Sequence, residues 1–285
     1  MQNSYYGKGA CASRSNFISW AKKWLLEEAQ KEGWTRATKL QSRPMSQGLI
    51  ALLANNQQAT MIEVNCETDF VAKNEKFVSM VTKLVEECSG YLQGSQESEV
   101  YLSKAELDQI KTAEHGTLAD IVSLNIGNLG ENMALRRGVF MQATDNNVLS
   151  CYVHPSGGAD ARSLMLGKYG AVLELVPSSL SQESSLQDLG RDLCQHIVGM
   201  NPQTVGEYSP PLQIEHSSPS EQHDQGYRSD SGSEEGGESQ TQLLLQEFLL
   251  DSSMCVGEML EARGGVGVAR FKRFACGEEL EGEGE

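Results

Sequence analysis

Apolar residues recur at helical spacing in two central stretches of the chain. After Asn74, a suitable N-cap residue, apolar side chains follow at i, i+4, i+7, i+8 and i+11, the spacing of one buried helix face. A second helix is predicted from Thr117, which opens a capping pattern with Asp120, to Leu129, and Gly130 is expected to end it. The apolar face of the first helix consists of Phe77, Val81, Leu84, Val85 and Cys88.

Two strands are predicted ahead of the first of these helices. They run from Gly48 to Ala54 and from Ala59 to Cys66, and four polar residues at 55–58 join them. The second strand alternates: Ile62, Val64 and Cys66 fall on one face, and Glu63, Asn65 and Glu67 fall on the other. This alternation predicts a half-buried strand with its carboxylates on the polar face.

The remaining pattern predicts a mixture of helices and antiparallel strands. Strands, helices, a hairpin, a further strand and a helix follow one another without a regular βαβ order, which favours an α+β fold. The further elements are a helix from Trp20 to Gly33, a hairpin of 132–143 and 148–153, a strand at 169–176, a helix at 186–200, a short helix from an Asp251 N-cap to Leu260, and a last strand at 266–276.

Composition divides the chain further. Residues 206–240 are rich in Ser, Glu, Gln, Gly and Pro and carry too few large apolar side chains to offset the entropy of ordering, so we expect a disordered insertion. The domains predicted are a basic leader with one helix at 1–47, a first core subdomain at 48–143, a second at 144–278 that contains the insertion, and an acidic tail at 279–285.

The formal charge of −16 comes mostly from two segments. Eight acids against one base lie between Val205 and Gln240, and five more acids follow Gly277. The folded part is therefore near charge balance, and the low pI does not describe an acidic binding surface. Neither DNA nor RNA is favoured as a direct partner.

Seven cysteines are scattered singly, without a C-x-x-C pair or a histidine at metal-ligand spacing. This pattern is typical of reduced thiols, and we expect no metal site and no cofactor. No apolar run reaches the length of a membrane span, so a membrane partner is not expected. The first 26 residues carry Lys8, Arg14, Lys22 and Lys23 but no acid, a composition similar to part of a mitochondrial transit peptide or to a disordered basic lead-in.

The stretch Glu63–Phe77, EVNCETDFVAKNEKF, predicts a strand, a tight loop and the start of a helix. The loop Thr68-Asp69-Phe70-Val71 places a carboxylate beside two apolar side chains at a position expected to be exposed. An exposed Phe-Val pair requires a partner surface. The alternative is that Phe70 and Val71 both tuck under the strand and cap the following helix.

Glu63–Phe77 resembles the signature of the elongation factor Ts family, whose core loop carries the same Thr-Asp-Phe-Val. Similar motifs follow in family order, and together they cover roughly residues 21–205 and 241–278. EEAQKEGW resembles the mitochondrial branch in particular. The motifs are EEAQKEGW at 27–34, IGNLGENM at 126–133, YVH at 152–154, LGKYGAVL at 166–173, QHIVGM at 195–200 and RFKRFACGE at 270–278.

The resemblance implies a core of two α+β subdomains with antiparallel sheets, preceded by a remnant N-terminal helix. It implies a guanine-nucleotide exchange factor for mitochondrial elongation factor Tu in the matrix, bound both to the GDP form and to the nucleotide-free form. Asp69 would disturb the partner's Mg²⁺ site, Phe70 would insert between apolar groups, and His154 would also contact the partner. Since the sequence contains no phosphate-binding P-loop, the nucleotide would belong to the partner.

Only the last helix of the family's three-helix N-terminal module, around Ala21–Gly33, has a counterpart, so we expect weaker binding than for a relative with the whole module. One alternative is a partner that binds and stabilises elongation factor Tu without efficient exchange. Another is an enzyme that uses Cys151 and His154, for which the sequence offers no third orienting group; a non-enzymatic role is the expectation. For His154 a hydrogen-bonded hairpin histidine is equally open, and His196 is expected to be a buried, satisfied imidazole.

Overall fold

The computed structural model describes residues 9–113, 116–155, 164–178, 183–209 and 241–280. The predicted insertion lies outside the described residues from 210 to 240, as do residues 281–285 of the predicted tail and the first eight of the leader. The helices are α1 (Gly9–Leu40), α2 (Asp69–Ala72), α3 (Glu75–Leu92), α4 (Lys104–Gln109), α5 (Leu118–Leu129), α6 (Glu183–Met200) and α7 (Val256–Ala262), with a 3-10 turn at Leu243–Leu245.

Twelve strands are present in the described part of the chain. They are β1 (Gln47–Ala54), β2 (Gln58–Cys66), β3 (Glu99–Ser103), β4 (Lys111–Thr112), β5 (Gly116–Thr117), β6 (Met133–Gln142), β7 (Val148–His154), β8 (Leu164–Gly167), β9 (Tyr169–Val176), β10 (Glu247–Phe248), β11 (Asp251–Cys255) and β12 (Gly267–Ala275). The α+β class is as predicted, and the paired strands of the larger sheet are antiparallel.

The chain forms two compact units. The first contains the described residues of Met1–Gln142, Val153–Gly170 and Phe274–Glu285, and the second contains those of Ala143–Tyr152 and Ala171–Arg273. In the first unit a five-stranded sheet has the order β3-β6-β2-β1-β8. Helices α3 and α5 bury their apolar faces in the core of this unit, and Phe77, Val81, Leu84, Val85 and Cys88 are all completely buried.

The predicted half-buried character of the second strand is wrong. Glu63 and Asn65 of β2 are as buried as Ile62 and Val64 on the other face, because residues of the last segment of the chain, including Gly277, bond to them. The pairing of β2 with β6 contains a bulge at Arg136, since Glu63 faces Arg137 and the next residue, Val64, faces Leu135. The bulge brings both arginines of β6 to the one carboxylate.

The helix predicted to stop at Gly33 continues to Leu40. Gly33 is buried where α1 crosses α5, and a Cβ atom placed there would lie 2.3 Å from the carbonyl oxygen of Ser123. The glycine therefore permits close approach of two helices rather than ending one. Beside this crossing, the Trp34 indole donates a hydrogen bond to Asp120 at 2.9 Å.

Two further predictions of local structure are corrected. Strands β6 and β7 do not form a hairpin: β6 pairs with β2 and β3, whereas β7 lies in a three-stranded sheet of order β12-β9-β7. Asp251 does not cap a helix, because it begins strand β11 and its carboxylate accepts bonds from Ser253. Cys255 is the N-cap of α7, where Glu258 three residues later completes a capping box.

The core of the second unit contains apolar residues of α6, α7 and β9. Within this unit the Glu174 carboxylate is almost fully buried and accepts bonds from the Thr144 N–H and hydroxyl, from Asn147 and from Arg270 at 2.6–2.9 Å. Burial alone would raise the pKa of Glu174, but the Thr144, Asn147 and Arg270 bonds outweigh it and lower the pKa below its ordinary value.

Glu174→Gln is expected to destabilise the protein by about 2 kcal/mol near neutral pH, because it removes a buried charge partner of Arg270. Since the folded-state pKa of Glu174 is depressed, its contribution is present above the ordinary pKa of 4.5 and is lost as the pH falls through the folded value. Urea unfolding between pH 7 and pH 3.5 should therefore show the two proteins converging at acid pH. A constant difference across that range would contradict this account.

Candidate functional site

The connection between β2 and α3 carries the predicted site. It is a single helical turn, α2, rather than the tight loop expected from the sequence. Thr68 is its N-cap, with extended backbone angles and a hydroxyl that accepts a bond from the Val71 N–H at 3.3 Å. Asn74 then caps α3 by accepting from the Lys76 N–H, as predicted. The turn thus starts at a capping threonine and ends at Lys73, directly before the N-cap of the next helix.

The two apolar side chains of the turn point in different directions. Val71 packs against the core of the first unit, whereas Phe70 is 82% exposed. The alternative in which both side chains tuck under the strand is therefore right for Val71 and wrong for Phe70. A phenyl ring held out from an ordered turn is available to a partner surface.

Asp69 stands in the first turn of α2 and forms an ion pair with Lys73 at 2.9 Å. The hydrogen bond from Lys73 and its positive charge lower the pKa of Asp69, and the ammonium of Lys168 adds to this effect. The carboxylate is consequently ionised at neutral pH and lies beside the exposed ring of Phe70.

Thr68 is bound by a residue that the sequence did not single out. Glu131 accepts the Thr68 N–H at 3.1 Å and the Thr68 hydroxyl at 2.7 Å. The Thr68 carbonyl oxygen also accepts from the Cys66 thiol at 3.2 Å. Glu131 lies within the motif IGNLGENM, directly after the left-handed Gly130 that ends α5, and that position was its only signal in the sequence.

His154 is the last residue of β7, and its exposed side chain precedes a cis peptide bond to Pro155. Its carbonyl oxygen accepts a bond from the Lys168 N–H at 2.8 Å. The Lys168 ammonium itself donates to the Gln47 side chain at 3.1 Å.

His196 is completely buried, as predicted. Its Nδ1 accepts the Leu249 N–H at 3.1 Å, so Nε2 carries the proton and donates to Gln246 at 2.9 Å. Burial lowers the pKa of His196, which keeps the ring neutral. These contacts make His196 a structural residue of the second unit.

The described residues contain no cluster of three or more histidine, cysteine or acidic side chains that could hold a metal ion. Burial raises the pKa of the Cys66, Cys88 and Cys151 thiols to about 12, so these cysteines are protonated at neutral pH. None of the helices in the described ranges has the length and apolar character needed to cross a bilayer.

Residues 67–218 match the family model described as Elongation factor TS, and this match places the chain among the elongation factors of protein synthesis. The match begins one residue before Thr68 and includes Glu131 and His154.

Curated relatives extend this similarity over almost the whole chain. The protein named "Elongation factor Ts, mitochondrial" from Xenopus laevis is 37% identical over 288 residues, which cover 96% of this chain and 82% of that protein. Proteins of the same name from Branchiostoma floridae and Homo sapiens are 39% and 37% identical, over 92% and 90% of this chain and 82% and 73% of their own lengths. The chain belongs to the elongation factor Ts family.

Proposed function

We propose that this protein is the guanine-nucleotide exchange factor for mitochondrial elongation factor Tu and acts in the mitochondrial matrix. The observation that carries the proposal is the exposed Phe70 side chain on a turn that Thr68 caps and that the N-cap of α3, Asn74, follows. An apolar ring presented in this way can enter a partner without a large ordering cost, since the backbone beneath it is already fixed.

The chemistry of GDP release gives Asp69 and Phe70 separate roles. GDP affinity depends on the Mg²⁺ charge and on backbone donors directed at the phosphates. The Asp69 carboxylate would compete for the ligands and waters around that ion, and Phe70 would separate apolar side chains beneath the phosphate-binding elements. Val71 anchors the turn because its side chain packs on the core of the first unit. His154 would add a second contact with the partner.

Thermodynamic linkage determines which form of elongation factor Tu this protein binds more tightly. If the protein weakens GDP binding by a given factor, GDP weakens binding of the protein by the same factor. The protein should therefore bind nucleotide-free elongation factor Tu more tightly than the GDP-bound form. We infer no direct role for nucleic acid or for a membrane.

A second candidate is a partner that only binds and stabilises elongation factor Tu. It is favoured by α1, whose N-terminal half exposes Phe17, Trp20, Trp24 and Leu25, each at least 49% accessible, which is an apolar surface suited to binding. A chemical mechanism through Cys151 is disfavoured, because burial raises its pKa to about 12 and a thiol nucleophile must ionise.

Release of a fluorescent GDP analogue from mitochondrial elongation factor Tu separates the two candidates. With excess unlabelled GDP in solution, this protein is expected to raise the first-order release rate by at least tenfold in a saturable manner. Complex formation is measured in parallel by analytical ultracentrifugation without nucleotide. If the complex forms but the release rate is unchanged, the protein binds elongation factor Tu without promoting exchange.

A further inference from the structure

We propose that Glu131 is a positioning residue that sets the orientation of the exchange turn, residues 68–71, through Thr68. Glu131 does not itself belong to that turn, and it follows the end of α5. Its carboxylate holds both the N–H and the hydroxyl of Thr68, at 3.1 and 2.7 Å. This inference rests on the exchange function proposed above and adds a residue to it.

The contact is one half of a reciprocal arrangement. Glu131 accepts the Thr68 N–H, and the residue before Thr68, Glu67, accepts the N–H of Asn132 at 2.6 Å. Two neighbouring residues on each segment thus exchange carboxylate and amide bonds. The Asn132 side chain continues the link by donating to the Arg43 carbonyl at 3.0 Å.

The end of α5 explains why Glu131 can reach Thr68. Gly130 has φ of 77°, a left-handed conformation that reverses the chain after the helix. A Cβ atom at Gly130 would meet nothing within 4 Å, so the glycine is required there for its backbone conformation and not for space. The reversal directs residues 131 and 132 back toward the end of β2.

The bonds act on the orientation of Phe70 through the cap. The Thr68 hydroxyl donates to Glu131 and accepts from the Val71 N–H, so Glu131 fixes the rotamer that caps the turn. Without Glu131 the hydroxyl can rotate away and the turn has fewer constraints. Because Phe70 is exposed and has little packing of its own, its direction depends on this turn.

The test compares Glu131→Ala with Glu106→Ala. Glu106 is a matched control, since its carboxylate also accepts an N–H and a hydroxyl, from the Ser103 N-cap of α4. Both variants are expected to lower the melting temperature by similar amounts. Only Glu131→Ala should slow the maximum rate of GDP release from elongation factor Tu, by about tenfold, which corresponds to about 1.4 kcal/mol, and Glu131→Gln should slow it less.

A double-mutant cycle locates the effect in Thr68. Thr68→Val removes the hydroxyl bonds to Glu131 and to the Val71 N–H but keeps the bond from the Thr68 N–H, so alone it should also slow release. Thr68→Val should cost less when added to Glu131→Ala than it costs in the wild-type protein, because their common contact is already absent. Equal losses in Glu106→Ala and Glu131→Ala, or additive losses in the double variant, would reduce Glu131 to a contributor to general stability.

Amide hydrogen exchange gives a readout independent of the partner. The Thr68 and Val71 amides should exchange faster in Glu131→Ala and at the wild-type rate in Glu106→Ala. If the wild-type protein does not accelerate GDP release from elongation factor Tu, the proposed function is wrong. Amide exchange at Thr68 and Val71 then decides by itself whether Glu131 orders the turn. Unchanged protection at Thr68 and Val71 would overturn the positioning role whatever the release rate.

Discussion

Replacing Phe70 with alanine should slow GDP release from mitochondrial elongation factor Tu by about 30-fold. Aromatic side chains that enter a partner's pocket contribute at least about 2 kcal/mol to an interface, which corresponds to this factor. Phe70 is 82% exposed in the free protein, so its removal should change the free energy of unfolding by less than about 0.5 kcal/mol. The loss of function would therefore occur in a fully folded protein, as measured by release of a fluorescent GDP analogue and by thermal unfolding.

Tyr91→Ala is the matched control for Phe70→Ala. Tyr91 lies on α3, the helix that follows the turn, and is 62% exposed. Its removal takes away a similar apolar area from the same unit and should leave the release rate unchanged. Normal release by Phe70→Ala, or an equal loss in Tyr91→Ala, would remove Phe70 from the proposed mechanism.

Local signals in the sequence predicted the elements around the turn. The caps at Asn74 and Thr117 lie within three residues of the groups they bond, so the starts of α3 and α5 could be read from the sequence. Alternation also predicted a strand at 59–66, which β2 exceeds by one residue at its start. These predictions succeeded because short-range hydrogen bonds and side-chain periodicity determine such boundaries.

The contacts that hold the turn could not be predicted in the same way. Glu131 bonds to Thr68 across 63 residues, and no local pattern specifies that pairing. Gly33 satisfied the rule for a helix end, but its role depends on the backbone of Ser123 in another helix. A glycine that ends a helix and a glycine that admits a neighbour have the same sequence signal, and only tertiary packing distinguishes them.

The alternation in β2 failed at Glu63 for a related reason. A carboxylate on the polar face of a strand normally faces water, yet Glu63 is completely buried. The Gly277 N–H, which donates to it at 2.7 Å, comes from 214 residues later in the chain. The end of the motif RFKRFACGE, residues 275–278 of the first unit, therefore covers this part of the sheet.

Glu63→Ala is expected to destabilise the protein by about 4 kcal/mol. The carboxylate accepts bonds from Asn65 at 2.9 Å, Arg136 at 3.2 Å, Arg137 at 2.7 Å and Gly277 at 2.7 Å. Its removal leaves the Arg137 guanidinium, of which the side chain is only 7% exposed, with the partly exposed Glu278 as its remaining carboxylate partner. Breaking a buried pair from one side costs about 3–5 kcal/mol, a large part of the roughly 5–15 kcal/mol that stabilises a typical domain.

Glu28→Ala provides the comparison for this prediction, since Glu28 pairs with Lys31 at 2.7 Å on the exposed surface of α1. An exposed pair of this kind contributes little to stability, because water and salt screen its charges. Equilibrium unfolding in urea, followed by circular dichroism, should therefore show a large shift for Glu63→Ala and almost none for Glu28→Ala. If Glu63→Ala lost less than about 1 kcal/mol, the carboxylate could not be the group that holds Gly277 against the sheet. The four bonds would then be replaceable by water, which the complete burial of Glu63 argues against.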